Sequence, residues 1–290
     1  MSDPLPICYL NGAYVPLAEA RISPLDRGFL FADAVYEVMP VYAGRPFRFQ
    51  AHCERLARSA REIALPDPHT REEWRAIIAG LIERNGGGDQ SVYWQVSRGA
   101  DRVRNPAPLP ELRRTVFAFC APLRLPEAAL LERGIACITA VDTRWARCDI
   151  KSVALLPNVL LRQRAVQAQA AETILLREGE LTEASSAAVH VVIGGEVRTP
   201  PRSPRVLPGT TRGVVEELCG RSGLACRSHG VSEQELRAAE EIWISSAMRE
   251  IVPVSTLDGA PVGTGRAGPV WRRIYNELQR YKQELGREPW

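Results

Sequence analysis

The alternation of apolar and polar positions divides the chain into short stretches of period two and longer stretches of period near 3.6. Ile7–Leu10 and Ala13–Pro16 flank Asn11-Gly12, a two-residue hairpin signal. Residues 35–42 (VYEVMPVY) are rich in β-formers, Gly44 marks a turn, and 46–49 read as a short strand. Over 52–63, Leu56, Ala60 and Ile63 share one helical face; Arg71–Arg84 is a second amphipathic helix, ended by Gly86-Gly87-Gly88. Strands at 92–96 and 116–120 enclose an Arg- and Pro-rich loop, 98–114. Residues 122–126 (PLRLP) mark an interdomain linker at 121–127. Beyond it the pattern predicts strands at Ile135–Val141, 173–176, Ala188–Ile193, 197–199, 242–245 and 251–254. Helices are predicted at 155–171, at 210–219 after Leu207-Pro208-Gly209, after a Ser232/Glu235 capping box, and at 270–285. No internal repeat is visible. The expectation is an α/β (mixed α+β) chain with a small N-terminal domain over 1–120 and a large C-terminal domain over 128–290.

Composition narrows the classes. A chain of 290 residues and 32.1 kDa suits about two domains. With 45 % hydrophobic and 24 % charged residues it is neither disordered nor of low complexity. No stretch approaches the ~20 apolar residues of a membrane span. The start, MSDPLPICYLNG, has no basic region followed by an apolar run, so a cytoplasmic location without membrane association is expected. The 7 cysteines are never spaced as CxxC, and the 4 histidines show no metal-ligand spacing, which argues against a disulfide scaffold or a metal site. The 37 basic residues interleave with 34 acidic ones, against a nucleic-acid partner.

Only two of the basic residues are lysines, Lys151 and Lys282. Genome composition explains most of that bias. It also singles out the positions where arginine has not replaced an amine. A guanidinium stays protonated and forms no Schiff base, whereas a lysine can act as nucleophile or base. Lys151 lies in Cys148-Asp149-Ile150-Lys151-Ser152-Val153-Ala154, close to apolar residues and a helix start. Glu183, between two predicted strands, suits a pyridine nitrogen as well as it suits a solvated turn. Gly209-Thr210-Thr211-Arg212 opens a helix with N–H groups and hydroxyls suited to a phosphate or to simple capping. Ser245-Ser246 could add donors and Arg55 charge, while Tyr36 alone reads as strand packing.

In order along the chain, Asp26-Arg27-Gly28-Phe29-Leu30-Phe31-Ala32-Asp33-Ala34-Val35-Tyr36-Glu37-Val38, Arg144-Trp145-Ala146-Arg147-Cys148-Asp149-Ile150-Lys151-Ser152, Leu181-Thr182-Glu183-Ala184-Ser185-Ser186 and Leu207-Pro208-Gly209-Thr210-Thr211-Arg212 resemble the fold-type IV pyridoxal-phosphate aminotransferases. The likeness is strongest to the branch that acts on D-amino acids. It runs from Tyr9 to about Tyr281, and the RCDIKS segment is its most specific part. The resemblance implies a two-domain, homodimeric enzyme of that fold using pyridoxal 5′-phosphate. It would move an amino group between a D-amino acid such as D-alanine and a 2-oxo acid such as 2-oxoglutarate. Lys151 would be the Schiff-base lysine and proton carrier. Glu183 would meet the ring nitrogen, Leu207 would pack on the ring, and Arg55, Thr210, Thr211 and Ser246 would hold the phosphate. Tyr36 would bind the substrate α-carboxylate, with Arg104 reaching it from the partner subunit; Arg98 and Arg102 compete for that role.

Three departures stand out. The family loop usually reads Arg-x-His where this chain has Arg104-Asn105-Pro106. Ala188 stands at a frequent asparagine, and Ala247 where a phosphate-binding threonine is common. Two enzymes of the same fold are alternatives. A branched-chain L-aminotransferase more typically carries Phe-Glu-Gly-Ile-Arg at Tyr36-Glu37-Val38-Met39-Pro40, and an aminodeoxychorismate lyase differs around Tyr36 and Lys151. A catalytically silent binding module is a third alternative, disfavoured by the intact Lys151 and Glu183.

Overall fold

The computed structural model describes residues 3–285; the outer ends of the two expected domain ranges, 1–2 and 286–290, lie outside the described residues. Among these, the chain divides into two compact units. The first holds residues up to Arg124 together with Ile150–Ala154; the second holds Leu125–Asp149 and Leu155–Leu285. Lys151 therefore belongs to the first unit, not to the large C-terminal stretch in which the sequence reading placed it. The cause is backbone pairing. Tyr36 N–H donates to the Lys151 carbonyl (3.0 Å), Val153 N–H donates to Ala34 (3.1 Å), and Val35 bridges Ser152.

The first unit is an antiparallel six-stranded sheet in the order Ala13–Pro16, Ile7–Leu10, Thr115–Pro122, Gln90–Ser97, Ala34–Tyr42, Arg45–Pro46. Helices Phe49–Glu62 and Arg71–Arg84 pack on it around Met39, Leu56, Trp74, Ile78, Leu81 and Trp94, all essentially inaccessible to solvent. The second helix starts where Thr70 and Glu73 close a capping box. The strand expected at 46–49 shrinks to Arg45–Pro46. Arg48 adopts a left-handed conformation (φ 59°) and launches the helix three residues earlier than its apolar stripe suggests.

The second unit is a nine-stranded mixed sheet. Its main path runs Cys226–Ser228, Glu196–Thr199, Ala188–Ile193, Glu241–Ser246, Glu250–Leu257, Ile135–Val141, Glu172–Arg177, Glu180–Ala184. Ala260–Pro261 pairs with Glu250–Leu257. Glu183 lies inside the strand Glu180–Ala184, not between strands. That strand returns from Glu172–Arg177 through Glu178-Gly179, both at positive φ (56° and 79°), the geometry of a tight hairpin turn. The helix expected over 155–171 is Leu156–Gln167; Gln169 turns left-handed (φ 55°) and Ala170 N–H caps the Ala165 carbonyl. Helix Thr210–Arg221 and the Ser232-capped helix Glu233–Arg237 begin where the sequence reading sets them. Several short elements lie outside the sequence reading, among them helix Arg27–Phe31, capped by Asp26, helix Ala128–Arg133 and strand Cys226–Ser228. Among the described residues no helix is long and apolar enough to cross a membrane.

Candidate active site

In the first unit, strand Ala34–Tyr42 carries Tyr36 and Glu37, and helix Phe49–Glu62 carries His52, Arg55 and Ser59. Lys151 is fixed on both sides of its peptide: its carbonyl accepts from Tyr36 N–H and its N–H donates to Ser59 Oγ (3.1 Å). Its Nζ lies 4.3 Å from the centroid of the Tyr36 ring, which stacks on Tyr93 at 5.5 Å. Two candidates far apart in sequence, Tyr36 and Lys151, thus meet. Arg55 donates through Nε and Nη2 to the two carboxylate oxygens of Glu37, each at 2.7 Å, and His52 Nδ1 lies 2.7 Å from the same carboxylate. Burial opposes ionisation of Glu37, but Arg55 and then His52 outweigh it and hold its carboxyl down at about 2. Glu37 lies in the quoted 26–38 segment without an assigned role and His52 lies in none; the pairing with Arg55 reveals both.

In the second unit, the buried Glu183 carboxylate pairs with Arg144 Nη1 and accepts the Leu207 N–H (3.1 Å). Burial pushes its carboxyl above the usual range against the pull of Arg144. Arg144 is also forked onto Asp142, whose own carboxyl sits low at about 2 because Arg144 outweighs its burial. Arg144 and Asp142 were missed as site residues, although Arg144 heads the segment that ends in Lys151. Three residues beyond Leu207, Thr210 opens its helix after Gly209. No side chain caps the first turn, and it contains no acidic residue. Its leading N–H groups have no intrahelical acceptor, which is the donor set a phosphate needs. Three residues of chain span at most about 10 Å. One loop therefore joins a buried, basic carboxylate to a helix end with free N–H donors, a pair that fits a protonated pyridine bearing a phosphate arm. Thr211 is buried in that first turn, and Ser246 ends strand Glu241–Ser246, against which the helix packs.

The loop with the altered motif is pinned by buried Arg27, which donates to the carbonyls of Asn105 and Pro106 (2.6 Å each) and to Asp33 and Asp101. Gly99 (φ 97°) permits the loop to close, since a Cβ there would meet the Arg113 carbonyl at 1.9 Å. Arg98 grips Asp33 with Nε and Nη2 and donates to the carbonyls of Ile63 and Ala64, so its role is to hold the loop base. Arg102 and Arg104 are exposed, with the Arg104 guanidinium 5.2 Å from the Phe31 ring centroid.

The buried titratable groups set a stability profile. Burial pulls His190 down to about 3 and His52 below its usual value of 6.5, so both are neutral in the fold and protonated more readily in the unfolded chain. Glu37 and Asp142 are likewise depressed. All four stabilise the fold fully above about pH 6.5, and their contribution is lost as pH falls. The expected denaturant-unfolding free energy is flat between about pH 7 and 8, above which the buried thiols, pushed up by burial, ionise first in the unfolded chain and lower it. Below 6.5 each histidine lowers it by up to about 1.4 kcal/mol per pH unit, the raised carboxyl of Glu183 offsets part of that loss because the fold takes up its proton first, and protonation of Glu37 and Asp142 adds to the loss below about 4.5. A slope between pH 4.5 and 6.5 that is unchanged in His190→Phe would contradict the neutral histidine.

The profile of the family described as Amino-transferase class IV matches residues 34–257. A D-alanine aminotransferase from Bacillus licheniformis is 36 % identical over 269 residues, covering 93 % of this chain and 94 % of that protein. One from Staphylococcus aureus strain MW2 is 35 % identical over 94 % of this chain and 96 % of its own. Among solved structures, a branched-chain amino acid aminotransferase from Escherichia coli superimposes with TM-score 0.89 at 25 % identity, over 95 % and 94 % of the two chains. A second branched-chain amino acid aminotransferase (from T.th.), solved with pyridoxamine 5′-phosphate, gives 0.89 at 26 % identity, over 98 % and 96 %. The chain belongs to the Amino-transferase class IV family and is a pyridoxal-phosphate-dependent aminotransferase of fold type IV.

Proposed function

We propose that this enzyme transfers an amino group between a D-amino acid, such as D-alanine, and a 2-oxo acid, such as 2-oxoglutarate, with Lys151 as its catalytic residue. The observation that carries the reading is Lys151 itself: an amine in an arginine-rich chain, with its backbone fixed at Tyr36 and Ser59 and its Nζ on the Tyr36 ring. Pyridoxal phosphate, when bound, supplies an aldehyde for an amine and an electron-withdrawing ring that stabilises negative charge at Cα. Lys151 Nζ would hold the cofactor and, once displaced by the incoming amine, would take the Cα proton and return a proton to the former aldehyde carbon across the imine nitrogen. Glu183, made more basic by burial and fixed by Arg144, holds a proton on the ring nitrogen. Leu207 packs on the ring. Thr210, Thr211 and Ser246 bind the phosphate, with Arg55, oriented by Glu37, adding charge.

The α-carboxylate falls to Tyr36 and to Arg104 of the partner subunit in a homodimer. Exposed apolar side chains support the dimer. Leu156, Val159, Leu160 and Val166 line one face of helix Leu156–Gln167, and Phe29 and Val103 are exposed on the first unit. The 7 cysteines are all free, which supports the cytoplasm as the location. Arg104→Ala is expected to raise the KM for both substrates about 10- to 100-fold, the loss of a charge-assisted hydrogen bond, with cofactor affinity little changed. An unchanged KM would remove Arg104 from this role.

A branched-chain L-aminotransferase is the second reading, favoured by the solved structures above. The tract Tyr36-Glu37-Val38-Met39-Pro40 and the curated relatives named D-alanine aminotransferase favour the D-specific one. Parallel assays with D-alanine, L-leucine and 4-amino-4-deoxychorismate decide. The proposal expects turnover of D-alanine, and turnover of only one of the other two would end it.

A further inference from the structure

Strand Glu241–Ser246 ends in two serines. Adjacent strand side chains point to opposite faces. Ser245 is buried and Ser246 is half-buried. Ser245 Oγ lies 2.8 Å from His190 Nε2. The neighbouring strand Ala188–Ile193 places Ala188 opposite Ser245 and His190 opposite Trp243, so the imidazole reaches diagonally to the serine. His190 is wholly buried, and burial keeps it neutral, with one donor and one acceptor nitrogen. A polar row continues from it. The pairing of Val191 with Arg198 sets Thr199 beside His190, and Thr199 pairs with Ser228. Arg212, from the first turn of helix Thr210–Arg221, reaches Ser228 Oγ at 3.3 Å. The row runs from the buried Ser245, His190 and Thr199 out to Ser228 at the surface, where buried Arg212 of the helix start meets it.

Beyond Ser246 the chain turns at once: Arg249 N–H donates to the Ser246 carbonyl (3.2 Å) and Glu250 is left-handed (φ 54°). Ala247 offers no hydroxyl in that turn. The strand end then contributes through Ser246 and its backbone alone, and its placement depends on what fixes the last strand residues from below. Nothing in packing requires an imidazole there. A phenylalanine would fill similar space without a buried polar ring, and His190 Nδ1 has no partner among the described residues.

We propose that His190 is a positioning residue for the cofactor phosphate, acting through Ser245 on the strand end at Ser246. The inference rests on the phosphate role of Ser246 given above. It is tested by titrating the apoenzyme with pyridoxal 5′-phosphate and, separately, with pyridoxal, which lacks the phosphate. His190→Phe and Ser245→Ala are each expected to raise the Kd for pyridoxal 5′-phosphate about three- to tenfold, with the Kd for pyridoxal unmoved. The double variant should be no weaker than either single one, and His190→Gln should recover most of the affinity. The 31P resonance of the bound phosphate should shift in His190→Phe. Equal weakening of both ligands, or single effects that add in the double variant, would reduce His190 to a packing residue and overturn the proposal. Ser245→Ala, which removes one oxygen, keeps the test decisive if His190→Phe does not fold. Wild-type enzyme binding pyridoxal 5′-phosphate no more tightly than pyridoxal would instead defeat the assignment of the phosphate site itself, and the proposal with it.

Discussion

Lys151→Arg is expected to lose transamination by at least about 10⁴-fold, the upper end of what one acid–base group contributes, and to release its cofactor on gel filtration. The substitution is chosen to preserve everything else. Arginine keeps the positive charge over the Tyr36 ring and leaves the backbone bonds to Tyr36 and Ser59 intact. It differs in one property: a guanidinium neither condenses with an aldehyde nor gives up its proton. Near-identical thermal unfolding alongside the lost activity would locate the defect in the chemistry. Residual turnover above a hundredth of wild type would contradict the assignment. Lys282 provides the control, since its Nζ is bound to Glu250 and to Gln279 on the terminal helix, and Lys282→Arg should leave turnover within about twofold.

Glu183→Gln is expected to slow turnover by about 10²- to 10⁴-fold while the protein still binds pyridoxal phosphate. The amide can still accept from Leu207 N–H, so the loop leading to Thr210 keeps its anchor. What disappears is the negative charge opposite Arg144 and the proton it would hold on the ring nitrogen. Arg144 retains Asp142, so the loss of stability should stay near about 1.5–3 kcal/mol, one charge-assisted hydrogen bond, and not the larger cost of stranding a buried ion. Substrate KM and the rate of Cα deprotonation, followed with deuterated D-alanine, separate the two effects. A near-normal rate would show that Glu183 only shapes the loop.

Local signals made much of the fold legible. Asn11-Gly12 forms its hairpin, Ser232 and Glu235 form their capping box, and Arg71–Arg84 has the boundaries that periodicity gives. The misses lie where long-range contacts override local preference. Glu178-Gly179 makes a hairpin without the asparagine or aspartate that announces one, which hid the strand carrying Glu183. The site was legible only as separate motifs. Lys151 and Tyr36 are 115 positions apart by their numbering, and strand pairing alone joins them. The carboxylate pairs are equally silent: Glu37 and Arg55 are 18 positions apart, and Arg144 and Glu183 are 39 apart, spacings with no periodic trace. In a chain so rich in arginine, the resemblance puts Arg104 first for the carboxylate but leaves Arg98 and Arg102 as competitors. In the structure the Arg98 guanidinium is engaged by Asp33 and by two carbonyls, whereas Arg104 is exposed.

The central claim is that this enzyme takes the amino group from a D-amino acid through Lys151. The most direct test is a single turnover without any 2-oxo acid, in which holoenzyme is mixed with D-alanine or L-alanine and the cofactor spectrum is followed. The account predicts that D-alanine converts the bound cofactor to its pyridoxamine form with one equivalent of pyruvate per site, that L-alanine leaves the spectrum unchanged, and that Lys151→Arg responds to neither. Conversion by L-alanine with D-alanine inert, or conversion that survives in Lys151→Arg, would contradict it.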